Sequence, residues 1–135
     1  ILSGSLISAQ LAMADIAVIV NKDNSLSEIA SKDLRMIYLG KRSTFENGLS
    51  AKPLDQAEGS ELQKDFAKSV LRKTPSSLNS YWSRQMFSGK GTPPNQIDGG
   101  DSAIISTVIN TKNAVAYISS ESVTDDVKVI LTISK

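Results

Sequence analysis

Five consecutive residues, Ile16-Ala17-Val18-Ile19-Val20, constrain this chain more than any other stretch. They are apolar without alternation and mostly β-branched, which favours a strand over a helix. A strand with one wet face alternates apolar and polar residues. This one does not, so it must be covered on both faces. Helices on the two sides of a sheet are the ordinary way to cover one. The chain is long enough for this: 135 residues, 40% hydrophobic and 21% charged, fit one soluble domain with its own core.

The remaining segments supply the other elements. After polar, turn-forming residues 21–24, residues 31–39 read as a helix. Ser31 stands at its N-cap, Asp33 in its first turn, Leu34, Ile37 and Tyr38 on one face, and Gly40 at its end. Asn47-Gly48 marks a turn. Residues 50–54 read as a short strand in which Pro53, lacking an N–H, calls for an edge or a strand end. A second helix spans 60–72; Ser60 and Gln63 form an S-x-x-Q capping box, and Leu62, Phe66 and Val70 recur on its buried face. A third helix is capped by Thr74, starts on Pro75 and stops before Gly89, with Leu78, Tyr81, Trp82 and Met86 on a shared face. Residues 88–101 read as a loop. Asp101 or Ser102 then caps a fourth helix bearing Ile104, Ile105, Val108 and Ile109. Strands at 114–118 and 127–133 close the chain. The expected fold is one α/β domain over 15–135, a mixed sheet flanked by helices.

Composition removes several functions. A net charge of +1, with basic and acidic residues intermixed, gives no bulk attraction to nucleic acid. The chain has no Cys and no His, which excludes thiol nucleophiles, Ser–His–Asp triads and ordinary zinc sites. No constellation of the remaining Ser, Lys, Asp, Glu and Tyr reads as catalytic; no enzyme and no cofactor are expected. Residues 1–14, "ILSGSLISAQLAMA", are uncharged, apolar and rich in small residues, ending Ala12-Met13-Ala14 in the pattern of a signal peptidase site. They are read as a signal-peptide remnant or apolar N-terminal segment, too short for a stable membrane span. The expected location is periplasmic or secreted.

Several phrases resemble one family. "DIAVIVNK", a helix ending "LRMIYLGK", a helix start containing "GS", an aromatic "YW", a Gly-rich "FSGKGTPP" and the strand "AVAYIS" follow the order seen in the second lobe of phosphate-binding proteins of bacterial ABC importers. The resemblance implies a single periplasmic-binding-protein-like lobe with a small anion such as phosphate as its ligand. Two departures matter. Family members have two lobes and bind solute between them, whereas this chain has room for one. The family's phosphate loop resembles Arg-x-x-Gly-Ser-Gly-Thr, whereas the matching stretch here reads Asp55-Gln56-Ala57-Glu58-Gly59-Ser60-Glu61, with no Arg.

The candidate ligand-binding residues are Gly59, Ser60 and Glu61 at that helix start, with Lys90 in the Gly-rich loop. A helix N-terminus offers unpaired N–H groups and a positive dipole end, worth about 0.3–1 kcal/mol when exposed. The missing Arg forfeits about 1.5–3 kcal/mol per charged hydrogen bond. Each nearby carboxylate repels an anion by about 1 kcal/mol at 4 Å in water, and more where water is excluded. Asp55, Glu58 and Glu61 together cancel what the dipole offers, so a helix cap is favoured over an oxyanion cradle. Two roles follow. One is an exported solute-binding-like lobe with weak or lost anion binding. The other is an interaction module that docks on a protein partner or on further copies of itself.

Overall fold

The computed structural model describes residues 14–134. The proposed N-terminal segment therefore lies, but for Ala14, outside the described residues. In chain order the elements are β1 (Ile16–Asn21), α1 (Ser31–Tyr38), β2 (Lys52–Asp55), α2 (Glu61–Phe66) continuing into a π turn (Ala67–Leu71), α3 (Pro75–Phe87), β3 (Asn95–Gln96), α4 (Gly100–Ile109), β4 (Ala114–Ser119) and β5 (Val127–Ile133). The five strands form one sheet in the order β3-β2-β4-β1-β5. β2 runs parallel to β3 and β4, while β1 is antiparallel to β4 and β5, so the sheet is mixed as expected.

The β1 run is covered on both sides. Ile16, Val18 and Val20 join a core with Leu34, Tyr38, Phe66, Val70 and Trp82. Ala17 and Ile19 point the other way, into a core with Leu54, Ile104, Val108 and Ile118. The result is three layers: α1, α2, the π turn and α3 on one face, and α4 on the other. Each fully buried Ile, Val or Leu contributes about 1.5–3 kcal/mol of transfer energy, which makes this double burial the main stabilising term.

Buried polar groups tie the layers together. The Tyr38 hydroxyl donates to the Leu54 carbonyl at 2.7 Å, with the Val115 carbonyl at 3.1 Å, joining α1 to β2 and β4. Tyr81 donates to the Leu39 carbonyl at 2.6 Å and holds α3 to the end of α1. The buried Asn21 amide donates to the Val108 and Ile109 carbonyls and closes the end of α4.

Several local expectations change. The N-cap of α1 is Ala30, without a side-chain cap, and Ser31 is already helical. The second helix is α only as far as Phe66. It continues as a wider π turn, with Phe66, Ala67, Val70 and Leu71 all buried against the core. Met86 leaves the shared face: α3 outruns the core, and Met86 is 51% and Phe87 96% exposed. The loop at 88–101 contains the two-residue β3, which pairs with Leu54 and Asp55 through backbone alone and carries no apolar pattern. Pro53 lies past the end of that neighbour, in keeping with its missing N–H. The N-cap of α4 is Gly99, in a left-handed conformation (φ 110) that favours glycine; Asp101 and Ser102 are inside the helix.

Candidate functional site

Asp55 ends β2, and Tyr117 faces it from β4. A Tyr within an apolar buried strand needs a partner for its hydroxyl. Here that partner is the Asp55 carboxylate, which accepts the Tyr117 O–H. The same carboxylate accepts from the Gln56 N–H at 2.9 Å and from the Gln63 amide at 3.1 Å. Gln63 in turn accepts from the Gly59 N–H at 2.9 Å, and its own N–H donates to the Ser60 hydroxyl at 3.2 Å. The capping box is thus present with one shift: the Gln63 side chain reaches back to Gly59, not to Ser60. Gly59 holds φ +82, which a side chain would strain.

A second carboxylate closes the neighbouring helix start. Asp101, in the first turn of α4, accepts from the Ser119 N–H at 3.1 Å and the Ser122 hydroxyl at 2.7 Å. Gln56 bridges the two acids: its backbone N–H donates to Asp55, while its side-chain amide donates to Asp101 at 3.0 Å and to the Tyr117 carbonyl at 2.9 Å, and Gln56 is 4% exposed. Asp55 and Asp101 therefore lie along the carboxyl ends of β2 and β4, the edge where open α/β sheets receive ligands. Burial pushes the Asp55 pKa up from its ordinary 3.8, opposed by hydrogen bonds from Tyr117, Gln63 and Gln56. Burial, and then the negative charge of Asp55, pushes the Tyr117 phenol far above its ordinary range, so it stays a donor. Phe66 stacks on the Tyr117 ring with centroids 3.8 Å apart and fixes its plane.

An open cleft of about 350 Å³ adjoins this network, lined by Asp55, Glu58, Gly59, Gln63, Trp82 and Met86 among others. Lys64 is the cation in that lining. Among the described residues no group of His, Cys, Asp and Glu could hold a metal ion, and no helix is long and apolar enough to cross a membrane.

The same fold recurs in solved structures. A protein described as a phosphate ABC transporter substrate-binding protein, with bound phosphate, from Clostridium perfringens matches with a TM-score of 0.71 at 23% identity, over 88% of this chain and 45% of that one. An ABC-type phosphate transport receptor from Vibrio cholerae matches with a TM-score of 0.69 at 19% identity, over 89% of this chain and 46% of that one. PstS from Borrelia burgdorferi matches with a TM-score of 0.66 at 10% identity, over 88% and 47%. The fold is that of one phosphate-binding-protein lobe. This lobe spans less than half the length of the structures it matches. No protein-family model and no curated protein sequence match the chain.

The lobe brings the candidate residues only partly together. Gly59 lines the cleft, and Ser60 caps α2 with its hydroxyl. Glu61 is exposed and pairs with Lys64 at 3.8 Å. Lys90 is exposed in the turn after α3, outside the cleft lining, where its N–H donates to the Gln85 carbonyl at 2.9 Å. Sequence reading missed Tyr117, Gln56 and Asp101 as members of the site. Tyr117 was findable, as a hydroxyl set in an otherwise apolar strand. Gln56 and Asp101 were not, since their partners lie 45 residues apart in the chain.

Proposed function

We propose that this chain is a solute-binding-like lobe, exported and not an enzyme, in which anion binding at the α2 end is weak or lost. One observation carries the reading. The donors at the carboxyl edge of β2 and β4 are already taken by the chain's own acids: Asp55 accepts from Tyr117, Gln63 and Gln56, and Asp101 from Ser119, Ser122 and Gln56. An incoming anion would face Asp55 and Glu58 with Lys64 as the opposing charge in the lining. Repulsion between like charges at 4 Å costs about 4 kcal/mol at the dielectric typical near a protein surface, more than an exposed helix end returns. Export rests on the pattern of residues 1–14 and on the bound phosphate and transport roles of the neighbours with this fold.

Titration calorimetry with phosphate and sulfate tests the reading. The expected result is no binding at the cleft tighter than about millimolar, a free energy of roughly −4 kcal/mol. An Asp55→Asn, Glu58→Gln variant should bind phosphate more tightly than its parent. Micromolar phosphate binding that disappears on Ser60→Ala would overturn it.

A second reading, a docking module for a protein partner or another copy of the chain, is favoured by the exposed Phe87 and Met86 at the end of α3. Analytical ultracentrifugation separates the two. Self-association abolished by Phe87→Ser supports docking, and a strict monomer at high concentration with no co-purifying protein counts against it.

A further inference from the structure

The far end of the α2 segment carries the opposite charge. A second pocket, of about 460 Å³, is lined by Lys64, Asp65, Lys68, Arg72, Lys73 and Thr74. Four cations share it with one acid, in a chain whose net charge is only +1. Lys64 leans to Glu61, but among the described residues neither Lys68 nor Arg72 forms a salt bridge. Lys73 is held with its ammonium 5.0 Å from the centre of the Tyr81 ring, and that ring is anchored by its hydroxyl on Leu39.

The backbone here is unusual too. The helix loosens into the π turn, and such turns often mark functional positions. Arg72 then ends it at φ 58 and ψ 41, the left-handed conformation usually given to glycine at a helix end. Among the described non-glycine residues it alone has positive φ. The position thus keeps a guanidinium where the backbone favours its absence. A helix C-terminus attracts cations, but that field fades within the last turn and does not favour a strained Arg over glycine.

We propose that this pocket binds a phosphate-bearing anion, either a free ion or the headgroup of an anionic lipid. The charge count sets the class. A single carboxylate would leave most of the cations uncompensated, whereas a phosphate monoester brings up to two negative charges and three acceptor oxygens. The Arg72 fork suits two of those oxygens, with Lys68 and Lys73 as point charges and the Thr74 hydroxyl as a further donor. The pocket shares Lys64 with the acid cleft but none of that cleft's acids.

The full chain is tested against inorganic phosphate by calorimetry, and against phosphatidic acid–phosphatidylcholine vesicles by co-sedimentation, with phosphatidylcholine alone as reference. The expected result is binding of at least one anionic probe that weakens with salt and drops about tenfold or more in Lys68→Glu, Arg72→Glu. Phosphate binding identifies the free ion; vesicle binding without it identifies the headgroup. Apolar residues 1–13 remain in both proteins, so vesicle binding that survives the double substitution belongs to them and overturns the proposal. Binding of neither probe also overturns it. Phosphate binding lost on Ser60→Ala but kept in Lys68→Glu, Arg72→Glu would place the ion in the cleft, and both this proposal and the cleft reading would fall. Should the double variant not fold, Arg72→Gly decides: it should melt at or above the parent temperature yet bind the anionic probe less. Unchanged binding in that folded variant would refute the site.

Discussion

The two ends of the segment between Ser60 and Thr74 share a helix but not a chemistry. At its start, Asp55, Glu58 and Gly59 line a cleft where the Gln56, Gly59 and Gln63 N–H groups and the Gln63 side-chain amide are spent on the chain's own groups. At its close, Lys68, Arg72 and Lys73 line a pocket with Asp65 as the acid among them. Acid near a helix start and base near its end both suit the macrodipole, by about 0.3–1 kcal/mol each. That common term explains why either charge is tolerated, but it does not explain the strain at Arg72 or the half-buried carboxylate at Asp55. The comparison teaches that one helical segment can carry opposite charge at its two ends at no cost to the macrodipole, so the side chains, not the helix, set what each end can receive.

The core between the two ends supplies the largest expected effect. Phe66 stacks on Tyr117 and meets Tyr38 edge-on at 4.8 Å, so it braces both the acid network and the turn that follows. Phe66→Ala should cost about 3–5 kcal/mol in chemical denaturation. The turn that carries the basic pocket starts directly after Phe66, so a Phe66→Ala protein that still folds should bind the anionic probe less. Unchanged binding would show that the pocket does not depend on the core that braces the acid network. Next in size, Tyr117→Phe removes one donor from the half-buried Asp55 carboxylate and should cost about 1.5–3 kcal/mol at neutral pH. Its pH profile carries the sharper information. Because burial raises the pKa of folded Asp55, the folded chain holds a proton that the unfolded chain releases above 3.8. The stability this provides is complete below 3.8 and is lost as pH rises through the folded value. Tyr117→Phe removes a hydrogen bond that lowers that pKa, so the window should extend upward. Asp55→Asn should remove that component of the pH dependence. An unchanged profile in Asp55→Asn would show that Asp55 is ionised alike in both states.

Much of this architecture was legible in the residues, for a physical reason. The Ile16–Val20 run had to be covered twice, and the two cores do so. Thr74 with Pro75 and Ser60 with Gln63 act over three residues, so their caps could be read locally. What stayed hidden depended on distance. β3 is a strand only because Leu54 and Asp55 offer it an edge. Asp101 reads as an N-cap, yet it serves Ser119 and Gln56, which no local pattern announces. The π turn leaves no local mark, since Leu62, Phe66 and Val70 recur at four-residue spacing as they would in a regular helix. The acid cleft was foreseen as a cluster of carboxylates near Ser60, though not that Tyr117 would hold Asp55 in place.

The smallest effect separates a plain cap from a site. Ser60 and Thr74 each accept one N–H three residues on, at 3.2 and 3.1 Å. As caps they are equivalent, and Ser60→Ala and Thr74→Ala should each cost about 1 kcal/mol. In thermal melts that corresponds to a drop of about 4 °C for a domain of this size. Their surroundings are not equivalent. Thr74 lines the basic pocket, so Thr74→Ala should also weaken binding of the anionic probe, whereas Ser60→Ala should leave that binding unchanged. Equal melting shifts with unequal binding would confirm that the two helix ends differ by their side chains alone. The reverse order, with Ser60→Ala as the damaging change, would mean that the acids of the cleft do not shut out an anion and that the charge contrast between the ends has been misread.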